Sequence, residues 1–157
     1  MATEITILIA DDHPIFRQGL RQVIEREPSI RVVAEAEDGE AVLASLRELR
    51  PDVTLLDIDM PKLDGFGVAR AARREELTAG LVFLTMHKDE DMVHEALDLG
   101  VRGYVVKDSA VTEIVVAVRA VAAGQRYFSP AVATHLINWS TRSGALRRER
   151  AGLDLLT

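Results

Sequence analysis

Short apolar runs over residues 5–10, 30–36, 53–56, 81–84 and 103–106 alternate with stretches whose apolar residues return at the helical period. This alternation constrains the fold more than any other feature of the chain. Runs with little polar residue on either face, such as Ile5-Thr6-Ile7-Leu8-Ile9-Ala10, read as strands covered on both sides. Between them, Phe16, Leu20, Val23 and Ile24 mark one face of a helix opened by His13-Pro14 and stopped by Pro28. A second helix starts at Asp38-Gly39, carries Val42, Leu43, Leu46 and Leu49, and closes at Pro51. A third, over residues 65–74, is marked only by Phe66, Val68, Ala69 and Ala72. Asp89 or a neighbour caps a fourth, with Met92, Val93, Ala96, Leu97 and Leu99 inward and Gly100 as its stop. Ser109 is placed to cap a fifth, whose Val111, Ile114, Val115, Val118, Val121 and Ala122 run up to Gly124.

Strands alternating with helices imply right-handed crossovers and a parallel sheet with helices on both faces. The expected architecture is a flavodoxin-like, doubly wound (βα)5 fold with five parallel strands in the order 2-1-3-4-5. In that order the ends of strands one, three, four and five deliver Asp11 and Asp12, Asp57, Thr85 and Lys107 to a single edge, where such sheets bind ligands.

Taken singly, each of these residues has a plain structural explanation: a cap, a turn former, a solvated lysine. Together they have complementary chemistry. Three neighbouring carboxylates repel one another unless a divalent cation neutralises them, and a set this open suits Mg²⁺, which keeps waters and takes one or two carboxylates plus phosphate oxygens. An ammonium and a hydroxyl beside the metal could neutralise a phosphoryl group in transfer. A carboxylate is also a competent nucleophile for phosphorus, which makes the central Asp57 the expected acceptor.

The acidic pair Asp11-Asp12, the stretch Asp57-Ile58-Asp59-Met60-Pro61 followed by Asp64-Gly65, then Thr85, Tyr104 and Lys107 resemble, in order and spacing, the receiver domain of two-component response regulators. The resemblance covers residues 5 to about 124. It implies that Asp57 accepts a phosphoryl group from a sensor histidine kinase, and that Asp11, Asp12, Asp57 and the Asp59 carbonyl arrange Mg²⁺ directly or through water. It further implies that Lys107 pairs with the phosphoryl oxygens, that Thr85 is a switch hydroxyl, and that Tyr104 fills the space Thr85 vacates. Such a chain is a signalling phospho-acceptor that assists its own phosphorylation and dephosphorylation, not an enzyme in the usual sense. Homodimerisation on phosphorylation is likewise an expectation from the family. His87 and Asp59 fall where the family varies and are expected to influence phosphoryl lifetime. His13 and His94 have no second histidine at ligand spacing and read as surface or capping residues.

After Gly124 the character changes. Ser129-Pro130 opens a sixth helix with a narrow stripe of Val132, Ala133, Leu136 and Ile137 reaching Trp139, and an Arg-rich stretch follows with Arg142, Arg147, Arg148 and Arg150. The expected division is a receiver over residues 1–125 and, over 126–157, an extra helix and linker toward a C-terminal DNA-binding domain not contained in the chain. The final Leu156-Thr157 and the Lys107-Asp108 step resemble the subgroup whose second domain is a LuxR-type helix-turn-helix. A net charge of −6 argues against nucleic acid as the main partner of the chain itself, so DNA would be reached only through that other domain. With no cysteine and no apolar run near the ~20 residues of a membrane span, a cytoplasmic protein with no membrane partner is expected.

Three other functions compete. A stand-alone receiver acting by protein contact would need no second domain. A haloacid-dehalogenase-type phosphatase shares the local Asp57-Ile58-Asp59 pattern but places its nucleophile after the first strand, the reverse of the order here. A flavodoxin-like cofactor binder would share the fold, yet Asp11-Asp12 would repel its phosphate.

Overall fold

The computed structural model describes residues 4–77 and 80–142. Strands β1 (Ile5–Ala10), β2 (Ile30–Ala36), β3 (Val53–Asp57), β4 (Gly80–Thr85), β5 (Gly103–Val106) and β6 (Tyr127–Phe128) form one parallel sheet in the order β2-β1-β3-β4-β5-β6. Helices α1 (Pro14–Glu25), α2 (Gly39–Leu49), α3 (Gly65–Arg74), α4 (Glu90–Asp98) and α5 (Ala110–Ala122) connect them, and α6 follows over residues 133–142. Among the described residues no helix is long and apolar enough to cross a membrane.

Alternation along each strand sorts the core into two layers. Ile7, Ile9, Leu55, Val82, Leu84 and Val105 meet Leu20, Ile24, Ile114 and Val118 of α1 and α5. Leu8, Leu56, Phe83, Tyr104 and Val106 meet Val42, Leu46, Val68, Val93 and Ala96 of α2, α3 and α4. Each such aliphatic side chain, fully buried, contributes roughly 1.5–3 kcal/mol relative to exposure. Asp38 caps α2 by accepting the Ala41 N–H at 2.8 Å, and Gly100 ends α4 at φ 82°, where its own N–H and that of Val101 return to Leu97 and Ala96.

The expected five-stranded order is corrected by a sixth strand. β6 pairs Tyr127 with Gly103 and Phe128 with Tyr104, and the Phe128 ring stacks on that of Tyr104 at 6.0 Å between centroids. Two residues are too few to display a strand period, so the pairing leaves no alternation to read. The expected cap at Ser109 is also corrected. The chain leaves β5 through a single 3-10 turn, Lys107–Ser109, which holds Ser109 at φ −119°, ψ 7° and directs its hydroxyl to Glu113 and the Val106 carbonyl, away from the free N–H groups of α5.

Helix α6 docks on α4 and the segment that precedes it. A 3-10 turn, Pro130–Val132, sets its phase so that Val132, Leu136 and Trp139 pack inward while Ile137, expected in the stripe, is 64 % exposed. The Trp139 indole N–H donates to Asp98 Oδ1 at 2.8 Å and its ring faces the Arg126 guanidinium at 5.3 Å. His94, expected at the surface, lies under α6 at 7 % exposure, its Nε2 3.0 Å from the His135 carbonyl oxygen. The Arg-rich stretch beyond residue 142 and the terminal Leu-Thr step lie outside the described residues.

Candidate functional site

At the carboxyl edge of the sheet, β1 runs into Asp11, β3 ends on Asp57, β4 ends on Thr85 and β5 passes into Lys107. Asp11, Asp57 and Thr85 are at most 1 % exposed, and Asp12 stands at the rim. The Lys107 ammonium reaches between the acids, 2.9 Å from Asp11 Oδ2 and 3.2 Å from Asp57 Oδ2, and lies 4.8 Å over the Phe16 ring. Arg17 pins the end of β1 by donating to the Asp11 carbonyl while pairing with Glu35 at 3.0 Å and Glu37 at 3.2 Å.

The loop after Asp57 is held by its own backbone. Asp57 Oδ1 accepts the Asp59 N–H at 3.1 Å, and the Gly65 N–H returns to the Ile58 carbonyl at 2.8 Å. A Cβ at Gly65 would stand 2.9 Å from the Ile58 Cα, so the closeness of this turn requires glycine. Ile58 and Met60 face the core, which leaves Asp59 pointing outward with its carboxylate 3.0 Å from His87 Nε2.

Three carboxylate oxygens, Asp11 Oδ2, Asp12 Oδ1 and Asp57 Oδ2, are buried with no hydrogen-bond donor aligned on them, although Lys107 is near enough to attract two of them. Burial, and then the charge of Asp11, push the Asp57 carboxyl above the usual aspartate range, against the pull of the Asp59 N–H and Lys107. For Lys107 burial acts downward, but its bonds to Asp11 and the charges of both acids outweigh it and raise its pKa. The pocket is thus a cluster of acids with more negative charge than one lysine offsets, a donor set suited to a hard divalent cation.

Thr85 and Tyr104 meet through the segment after β4. The His87 N–H donates to Thr85 Oγ1 at 3.0 Å, and the Tyr104 hydroxyl donates to the His87 carbonyl at 2.9 Å. Tyr104 is fully buried, and that burial holds its hydroxyl far above the ordinary tyrosine range. His87 is therefore tied through its ring, its N–H and its carbonyl, linking Asp59 to the Thr85–Tyr104 pair. Sequence reasoning placed His87 near the site but missed this bridging; its position two residues after Thr85 was the available signal. His13, read as a surface or capping residue, stands at the N-terminal boundary of α1 with its side chain 63 % exposed. His13 follows the acidic pair directly, and its Nδ1 faces Asp11, Asp12 and Asp57. Asp11, Asp12, Asp57 and Lys107 are brought together, while the Asp59 carboxylate, which was not expected to take part in holding the metal, points toward His87.

This arrangement has close relatives. Residues 7–119 match the response regulator receiver domain. The chain is 39 % identical over 129 residues to the probable transcriptional regulatory protein NarL of Mycobacterium tuberculosis, covering 82 % of this chain and 60 % of that protein. It is 38 % identical over 135 residues to the nitrate/nitrite response regulator protein NarP of Escherichia coli, covering 86 % and 63 %. The chain thus spans about three fifths of the length of these curated relatives. A crystal structure of a two-component response regulator of the LuxR family from Aurantimonas sp. SI85-9A1 superposes with a TM-score of 0.82 at 35 % identity, over 88 % of this chain and 99 % of that one. With the acidic pair, the central aspartate and the lysine assembled at one sheet edge and the match running over most of its length, the chain belongs to the response regulator receiver domain family, among its LuxR-type members.

Proposed function

We propose that Asp57 is a phospho-acceptor whose modification, dependent on Mg²⁺, switches the surface around Thr85 and Tyr104. The observation that carries this reading is the nearly inaccessible Asp57 facing Asp11 across the Lys107 ammonium at the carboxyl edge of the sheet. A carboxylate oxygen of Asp57 attacks the phosphorus of a phosphohistidine on a sensor kinase. The new P–O bond forms as the bond to the imidazole nitrogen breaks, and the imidazole leaves with the electron pair. The orphaned oxygens of Asp11, Asp12 and Asp57 fit a divalent cation, which these residues and the Asp59 carbonyl would hold directly or through water. When bound, Mg²⁺ supplies neutralisation of the phosphoryl oxygens. Lys107 adds a second positive charge to the same oxygens.

The phosphoryl group brings about −1.5 to −2 charges. In this reading it draws the Thr85 hydroxyl toward itself, which releases the His87 N–H and disturbs the carbonyl that receives the Tyr104 hydroxyl. The altered surface borders α4, where α6 rests. We take residues 1–125 as the receiver that carries the chemistry and 126–157 as an extra helix and linker toward an output, a DNA-binding domain, as suits a relative of transcriptional regulators. Homodimerisation on phosphorylation belongs to the same proposal.

The test is the intact mass of the protein after incubation with acetyl phosphate, with Mg²⁺ and again with a chelator. The reading requires a gain of one phosphoryl group that depends on the metal, decays on standing and is absent in Asp57→Ala. Phosphorylation of Asp57→Ala to the same extent would overturn it, and rapid multiple turnover of the donor would favour an aspartate-based phosphatase instead.

A further inference from the structure

The Lys107 ammonium has a partner at the acid edge that is not an acid. It lies 4.8 Å over the face of the Phe16 ring, inside the ~6 Å within which a cation is drawn to the negative face of an aromatic ring. Burial strengthens that attraction, because with the Lys107 side chain only 10 % exposed little water competes for its charge.

Core packing alone does not account for this ring. Phe16 shares the inward face of α1 with Leu20 and Ile24, but those two are fully buried, whereas Phe16 is only partly buried, at the margin of the core and at the start of the helix. Local structure fixes its place. Pro14 stands in the first turn of α1, the Arg17 N–H returns to the His13 carbonyl at 3.0 Å, and the Arg17 guanidinium donates to the Asp11 carbonyl. Phe16, next to Arg17, is thereby tied to the end of β1.

The lysine needs such a fixture. Its four-carbon stem is flexible, and its head is a point charge without a planar fork to set its direction. Asp57 Oδ1 is engaged by the Asp59 N–H at 3.1 Å, which leaves Oδ2, the oxygen 3.2 Å from Lys107, to bond phosphorus. That bond takes from the lysine one of its two carboxylate partners. The ring is a partner that the reaction does not consume.

We propose that Phe16 is a positioning residue for phosphoryl transfer: its ring face holds the Lys107 ammonium at the acid edge while the ammonium exchanges Asp57 Oδ2 for the incoming phosphoryl oxygens. The inference rests on the phospho-acceptor reading of the preceding section. Phe16 offers no group to donor or acceptor and acts only through the lysine.

The experiment compares the wild type with Phe16→Leu, which keeps an apolar side chain without a ring, and with Phe16→Trp, which keeps a ring face of stronger attraction. The rate of phosphoryl gain is followed by intact mass with acetyl phosphate and saturating Mg²⁺. The expected rate is about three- to ten-fold lower in Phe16→Leu and within about two-fold of the wild type in Phe16→Trp. Carbon–proton NMR of the unphosphorylated chain gives a readout independent of the chemistry. The Lys107 side-chain methylene protons, assigned by their loss in Lys107→Arg, stand upfield under the ring current of Phe16 and return to ordinary lysine positions in Phe16→Leu. Methylenes at ordinary positions in the wild type, or a Phe16→Leu rate equal to that of the wild type, overturn the inference while leaving the phospho-acceptor reading intact. Equal slowing in Phe16→Leu and Phe16→Trp assigns the ring to packing and overturns it as well. A wild type that gains no phosphoryl group overturns both.

Discussion

The acid edge and the seam between α4 and α6 both bury ionisable side chains, and they do so by opposite means. At the edge, Asp11 and Asp57 are nearly inaccessible, share one lysine and leave carboxylate oxygens without aligned donors. At the seam, His94 Nε2 meets the His135 carbonyl at 3.0 Å and Glu90 at 3.4 Å, His135 Nε2 meets the Lys88 carbonyl at 2.9 Å, and Trp139 donates to Asp98; only His135 Nδ1 is left without a partner. An unmet electrostatic demand costs stability until a ligand arrives, and a met one holds elements together without any ligand. The edge is thus built for binding and the seam for packing.

The sharpest way to break this contrast is to remove the lysine that the two buried acids share. Lys107→Met leaves two buried acids facing each other, and unfolding in urea at neutral pH is expected to show a loss of about 3–5 kcal/mol. Mg²⁺ should restore part of that loss; a variant as stable as the wild type would show that the two acids do not share the lysine's charge. At the seam, His94→Ala is expected to cost about 1–3 kcal/mol, and here added Mg²⁺ should change nothing. A metal-dependent loss at His94 would erase the distinction between the regions.

Asp57→Asn should act with the opposite sign. Because burial holds the folded pKa of Asp57 above its unfolded value, its contribution is fully favourable below the unfolded aspartate range and is lost as pH rises through the folded value. The uncharged variant therefore melts higher than the metal-free wild type near neutral pH, on the order of 3 °C, and the advantage disappears in acid. Equal midpoints in calorimetry across that range would mean that the charge of Asp57 is already fully compensated. The smallest effect is expected away from both regions, at the exposed pair of Arg47 and Glu75. Arg47→Ala should leave the midpoint within the scatter of the measurement.

The parts of this molecule that sequence made legible are those encoded by period and punctuation. The strands that carry the site, the inward faces of α1 and α3, and the stop at Gly100 all follow from repeated local choices that agree with one another. Asp11, Asp57, Thr85 and Lys107 were legible because each ends an apolar run, so the topology alone gathers them. What escaped was set by contacts between distant segments. β6 is two residues long and exists because β5 offers an unpaired edge; His94 is buried only because α6 crosses it; Ser109 is diverted by the turn that positions Lys107.

The lone tryptophan of the chain sits where α6 meets α4, hydrogen-bonded to Asp98 and stacked under a guanidinium. An indole so placed is an optical probe supplied by the protein itself. Any lifting of α6 would expose the ring to water, break its bond to Asp98 and shift its emission to longer wavelength, without a label and on the timescale of mixing. The docking of the last described helix can therefore be followed continuously in the unmodified chain, separately from the chemistry at the opposite end of β4.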